Sequence, residues 1–200
     1  MDFLGHLRTV NEHRREVKKG CFRLGLFYQG LTHDLSKYSP TEFWVGVKYF
    51  QGFRSPNNAE REKKGYSEAW LHHKGRNKHH YEYWVDYNSR ITDREGAMIP
   101  VEMPPRYLAE MYADRVAASK IYNKGKYDQT LPLKYFLMGS GRNLINEDTS
   151  RDLEIMLRML AEKGEKVTEQ YIRTQILKGM IGPWIVEKKR ERDKKYYEKI

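Results

Sequence analysis

Two hundred residues, 39% hydrophobic and 13% aromatic, are enough for one ordinary domain with a buried core and exclude a disordered chain. The single cysteine, Cys21, excludes an internal disulfide framework, and no run approaches the roughly 20 apolar residues of a membrane span. A net charge of +10 favours a small anionic, phosphorylated substrate.

Part of that charge sits in the mixed-sign run Glu187–Lys195, read here as a solvated helix end in preference to a nucleic-acid contact. The start, Met1 to His6, lacks the basic, apolar and small-residue segments of a signal peptide, so a cytoplasmic location is expected.

Residues 2–18 read as a helix, because Phe3, Leu7, Val10, His13 and Val17 recur every three or four positions. His13 therefore falls on the apolar face. A second stripe through Cys21, Leu24, Phe27, Tyr28 and Leu31 ends at His33-Asp34, with Cys21 a small buried hydrophobe. Ser39-Pro40-Thr41-Glu42 is a helix start with a capping box. Residues 51–66 read as a long surface loop with at most one helical turn. Residues 67–84 are helical in composition with a break near Gly75, and 88–105 are irregular. A helix is expected over 106–123, with Leu108, Met111, Asp114, Ala118 and Ile121 on one side. Residues 124–149 carry Gly/Pro punctuation. Another helix starts at Thr149-Ser150, runs through Leu153, Met156, Leu157 and Leu160 to Gly164, and a last one follows from Thr168 with a break at 179–183. No strand alternation is sustained. The fold class is all-α, an irregular helical bundle over 1–165 with a C-terminal helical extension, 166–200, that ends in the basic segment.

Six of the seven histidines fall in one order with two aspartates: His13, His33-Asp34, His72-His73, His79-His80, Asp114. Imidazole and carboxylate are the ligand pair for Zn, Fe, Mn and related divalent ions, and helices can aim them inward from several directions. Each residue has an ordinary alternative: a core histidine at 13, a helical salt bridge at 114, a solvated basic stretch at 72–80. Their joint order favours one or two metal ions on His13, His33, Asp34, His73, His79, His80 and Asp114. His73 is preferred to His72 because it lies seven residues from His80 and four from Asn77.

This order resembles the His…His-Asp…His…His…Asp pattern of the HD-domain superfamily. Asp34-Leu35-Ser36-Lys37, the pair His79-His80 and the segment Ala113 to Ala118 are similar to its local motifs. The first histidine lies closer to the His-Asp pair than is usual there. Together with the Trp70–Trp84 block and Glu110-Met111, these residues resemble an uncharacterised family of small bacterial and phage HD-like proteins, over most of 1–165. The resemblance implies a metal-dependent phosphohydrolase for a nucleotide or other small phosphate ester. Asp34 would hold or bridge the ions (Fe, Mn, Zn or Mg), and Lys37 would reach a phosphate unless it is a surface lysine. Asn77 would contact substrate at the mouth, with Arg76 and Lys78. Glu82 would orient a histidine ligand or pair with Lys78. The same ligands serve an HD-type di-iron oxygenase. A third expectation is a non-enzymatic, metal-stabilised adaptor or nucleic-acid-binding protein using the basic end. The aromatic content is compatible with a homo-oligomer.

Overall fold

The computed structural model describes residues 1–88, 97–139 and 144–178. Among these, eight α-helices and one two-stranded ribbon make an all-α fold. Helix α1, Phe3–Arg23, begins at Asp2, whose carboxylate accepts the amide of Gly5 at 2.8 Å. It buries His6, Val10, His13, Val17, Gly20 and Cys21 along one stripe. The helix is longer than the periodicity over 2–18 indicates: Gly20 does not stop it, because its missing side chain lets Ala113 approach. A Cβ there would stand 3.2 Å from the Ala113 Cβ. Cys21 thus belongs to α1 and is fully buried. Gly25, at φ 80, turns the chain into α2, Phe27–Thr32, which folds back on α1.

Helix α3, Pro40–Tyr49, starts as expected, with Ser39 capping the Glu42 amide. The supposed loop 51–66 contains α4, Pro56–Lys64. Its boundaries were visible, since Ser55-Pro56 opens it and Gly65, at φ 82, closes it. Its interior has no apolar stripe, and only Pro56, Ala59 and Glu60 are buried. Helix α5, Glu68–Lys74, does end at Gly75, and residues 81–84 form a single 3-10 turn. The irregular stretch 88–105 includes strand β2, Met98–Pro100, paired antiparallel with β1, Val85–Tyr87. Three residues are too few for an alternation to be read from sequence.

Helix α6, Pro105–Tyr122, is central and packs on α1, α7 and α8. Helix α7, Leu131–Met138, lies in the segment taken as punctuation. Helix α8, Glu147–Tyr171, begins at Asn146 instead of Thr149: the Asn146 side chain accepts the amides of Asp148 and Thr149. Leu153, Met156, Leu157 and Leu160 of α8 are completely enclosed and close the core. At roughly 1.5–3 kcal/mol per buried aliphatic side chain, these four contribute much of the stabilisation on this side. Gly164, at φ 81 and ψ 171, kinks α8 where the sequence places a helix end, and Thr168 and Ile172 beyond the kink are still buried. The break at 179–183 and the basic run 187–195 lie outside the described residues. No helix of the described residues is long and apolar enough to cross a membrane.

Candidate metal centre

Five chain segments deliver side chains to one point. His13 comes from α1 and Asp114 from α6, and the Gly20–Ala113 approach sets the separation of those helices. His33 and Asp34 occupy the turn after α2, His73 the last turn of α5, and His79 and His80 the loop after it. Asp34 is the one non-glycine residue among those described with a positive φ, at 53. Left-handed backbone is costly for most L-residues and mild for Asp and Asn. That conformation turns the chain sharply between His33 and the 3-10 turn Leu35–Tyr38.

Arg14 holds this turn. Its guanidinium donates to the carbonyls of His33 and Leu31 at 2.8 and 3.2 Å and to the Tyr38 hydroxyl at 3.1 Å. The arginine thus satisfies open carbonyls at the end of α2 while tying the ligands to α1. Nothing in the local pattern marked it, because its partners are far along the chain.

The two oxygens of Asp34 face different groups of ligands. Oδ1 lies 3.3 Å from His73 Nε2 and 3.4 Å from His79 Nε2, while His73 Nε2 and His80 Nε2 are 2.9 Å apart. Oδ2 lies 3.3 Å from His33 Nε2 and 3.7 Å from His13 Nε2. Asp114 Oδ1 completes the second group, 2.9 Å from His13 Nε2 and 3.6 Å from His33 Nε2. Asp34-His73-His79-His80 and His13-His33-Asp34-Asp114 are therefore two four-residue sets, each with its donor atoms within 4.8 Å of one another, sharing one carboxylate. All seven residues expected as ligands are brought together. His72 stays outside these sets, its Nδ1 2.6 Å from Glu42 Oε1.

The opposite edges of the rings are held by two carboxylates that sequence reading did not assign. Glu110 Oε1 accepts from Nδ1 of His33 at 2.9 Å and lies 3.2 Å from Nδ1 of His79. Glu42 Oε2 accepts from Nδ1 of His73 at 2.7 Å. A proton kept at Nδ1 leaves the Nε2 lone pair free, which is the ligating tautomer. Glu110, His33 and His79 also lie close enough together to suit an ion. Their contacts run through Nδ1, however, so Glu110 acts behind the ligands. Nε2 of His13, His33 and His79 and both Asp34 oxygens are enclosed without an aligned hydrogen bond. Lys37 Nζ reaches Asp34 Oδ2 and Asp114 Oδ1 lies beside His13 Nε2, but Asp34 Oδ1 and the Nε2 atoms of His33 and His79 converge with no such partner, which is costly unless a cation receives them. The donor set fits divalent metal.

Charge is redistributed accordingly. Burial opposes ionisation of Asp34, but His33, Lys37 and His73 outweigh it and hold the carboxyl well below its usual range. Burial likewise opposes protonation of His33 and His73, and Asp34 with its neighbours raises both. His80 is pushed well down by burial and then by His79 and His73. Of the residues expected to meet substrate, Lys37 lies on the cavity wall with Nζ 2.7 Å from Asp34 Oδ2. Asn77 is not at the mouth. It is buried behind His73, donating to the His73 carbonyl and the Ser36 hydroxyl at 2.8 Å each. Glu82 lines the cavity; the carboxylates that orient the histidines are Glu42 and Glu110. His6 also lines the cavity, its pKa lowered to about 4 by burial and by Lys37.

A family model described as a family of unknown function (DUF5662) matches residues 2–159. The chain belongs to that family. The matched span contains every residue of the two sets as well as Glu42, Glu110 and Arg14. No curated protein and no solved structure matches the chain.

Glu110→Gln tests the role given to the supporting carboxylates. The change keeps the shape but weakens the pull on two Nδ1 protons, and loss of such a partner lowers metal affinity by about 10–100-fold. Titration with Mn2+ should show that loss with an unchanged circular dichroism spectrum. Wild-type affinity would refute the role.

Proposed function

We propose that this protein is a metal-dependent phosphohydrolase of the HD type, with a binuclear site bridged by Asp34 and a small phosphate ester as substrate. The observation that carries the reading is the shared carboxylate: two oxygens of one enclosed residue, each facing its own set of histidines. When bound, divalent ions supply Lewis acidity and an acidified water for attack on phosphorus.

The chain's own residues do the rest. Glu110 and Glu42 keep protons at Nδ1 of His33, His79 and His73, so their Nε2 atoms stay available. Lys37 places a cation beside Asp34 on the cavity wall, where a phosphoryl oxygen would meet it. The adjoining cavity measures about 380 Å3, a size that takes a small molecule.

The test is metal analysis of untagged protein purified without chelator, with an anaerobic optical spectrum and a panel of phosphomonoesters and nucleotides. Zinc, manganese or magnesium with metal-dependent phosphate release supports hydrolysis. Two irons per chain with an oxo-bridge absorption and no phosphate release would replace this reading with the di-iron oxygenase. Absence of metal would remove both, and the metal-stabilised adaptor with them, leaving a nucleic-acid-binding role.

A further inference from the structure

One face of α6, through Met111, Asp114, Arg115, Ala118 and Tyr122, lines the cavity. Asp114 turns to the histidines, and its neighbour Arg115 takes no part in the ligand sets. The Arg115 Nε is enclosed and has no hydrogen-bond partner. The Phe136 ring from α7 lies beneath the guanidinium, 5.6 Å from Cζ to centroid. Such stacking contributes roughly 0.5–2 kcal/mol and orients the group, but it does not neutralise the charge. Glu82, on the same cavity, is the natural candidate for a structural ion pair. Its Oε2 is itself enclosed without a hydrogen bond, so Glu82 and Asp114 act on the guanidinium only through space and leave its Nε unbonded. The enclosed Nε of this half-buried guanidinium gains a hydrogen bond when an oxyanion enters the cavity, and the planar fork matches phosphate.

We infer that Arg115 is the oxyanion receptor of this cavity, binding a phosphate group of the substrate from the α6 wall. The identification of the oxyanion as phosphate rests on the phosphohydrolase reading; the receptor role rests on the arginine's own surroundings. Arg115 is then a binding residue that sets substrate class, and carriers of a phosphate will be selected over neutral esters.

Calorimetric titration with inorganic phosphate decides it, on wild type, Arg115→Met, Arg115→Gln and Arg115→Lys. Each is measured Mn2+-loaded and after chelation, and metal content is determined separately. Expected are at least tenfold weaker phosphate binding in the Met and Gln variants in both states, wild-type metal uptake, and an intermediate value for Lys. Using Met and Gln together guards against one variant misfolding. Phosphate binding in the variants equal to wild type, or no binding by wild type in either state, overturns the proposal. Failure of the metal reading shows itself differently, as a wild type that takes up no Mn2+ while its chelated form still loses phosphate on substitution of Arg115.

Discussion

Asp34→Asn is expected to cost more than 100-fold in metal affinity and to abolish metal-dependent turnover, with the helical fold retained. Asparagine is nearly isosteric and tolerates the left-handed backbone that residue 34 adopts at φ 53, so the turn after α2 survives. What disappears is the negative charge on which both ligand sets depend. An amide offers a single weak acceptor in place of two anionic oxygens, so neither set keeps its shared member. His33 and His73, whose raised pKa values depend on that charge, relieve the imbalance by releasing protons, which limits the penalty on folding. Stoichiometry by calorimetry and far-ultraviolet circular dichroism check the two halves. A full metal complement in this variant would dismiss Asp34 as the bridge.

Chelation provides the second large effect. Metal held at 100 times its dissociation constant adds about 2.7 kcal/mol to the folded state. For a domain of this size that corresponds to roughly 5–10 °C in Tm. The effect has a definite pH dependence. In the metal-free cluster His33 and His73 hold protons above the ordinary imidazole range, and a cation must displace them. Uptake therefore releases protons, and apparent affinity rises with pH until both imidazoles are neutral. Scanning calorimetry with and without chelator, from pH 6 to 9, should show the gap in Tm widening towards alkaline pH. A gap that narrows over that window contradicts the assignment of these histidines.

The clustered residues were legible because metal chemistry leaves few residue types to choose from, and because His13 and Asp114 break otherwise apolar stripes. The choice of His73 over His72 also followed from spacing along the chain. The supports were not legible. Glu42 read only as part of a capping box, since its approach to His73 depends on how α3 meets α5. Glu110 and Arg14 likewise act across the fold, 77 and 19 residues from the His33 they serve. Among the helices, α4 hid behind a polar, largely charged surface, and α7 behind the proline that opens it. Asn77 was misplaced for the converse reason: a polar side chain near histidines reads as substrate contact, although this one closes the turn behind them.

The backbone of Asp34 has one more consequence, for which substitutions position 34 can accept. Its conformation is open to glycine, asparagine, aspartate and, less readily, histidine. Two anionic oxygens, one for each set, require a carboxylate, which leaves aspartate and glutamate. The two lists share a single member. Glutamate, the conservative exchange elsewhere, would strain the turn, and glycine, comfortable in the turn, would leave the six other residues of the two sets without their common partner. Selection for substitutions that restore a damaged Asp34 codon should therefore return aspartate alone, whatever compensating changes arise around it.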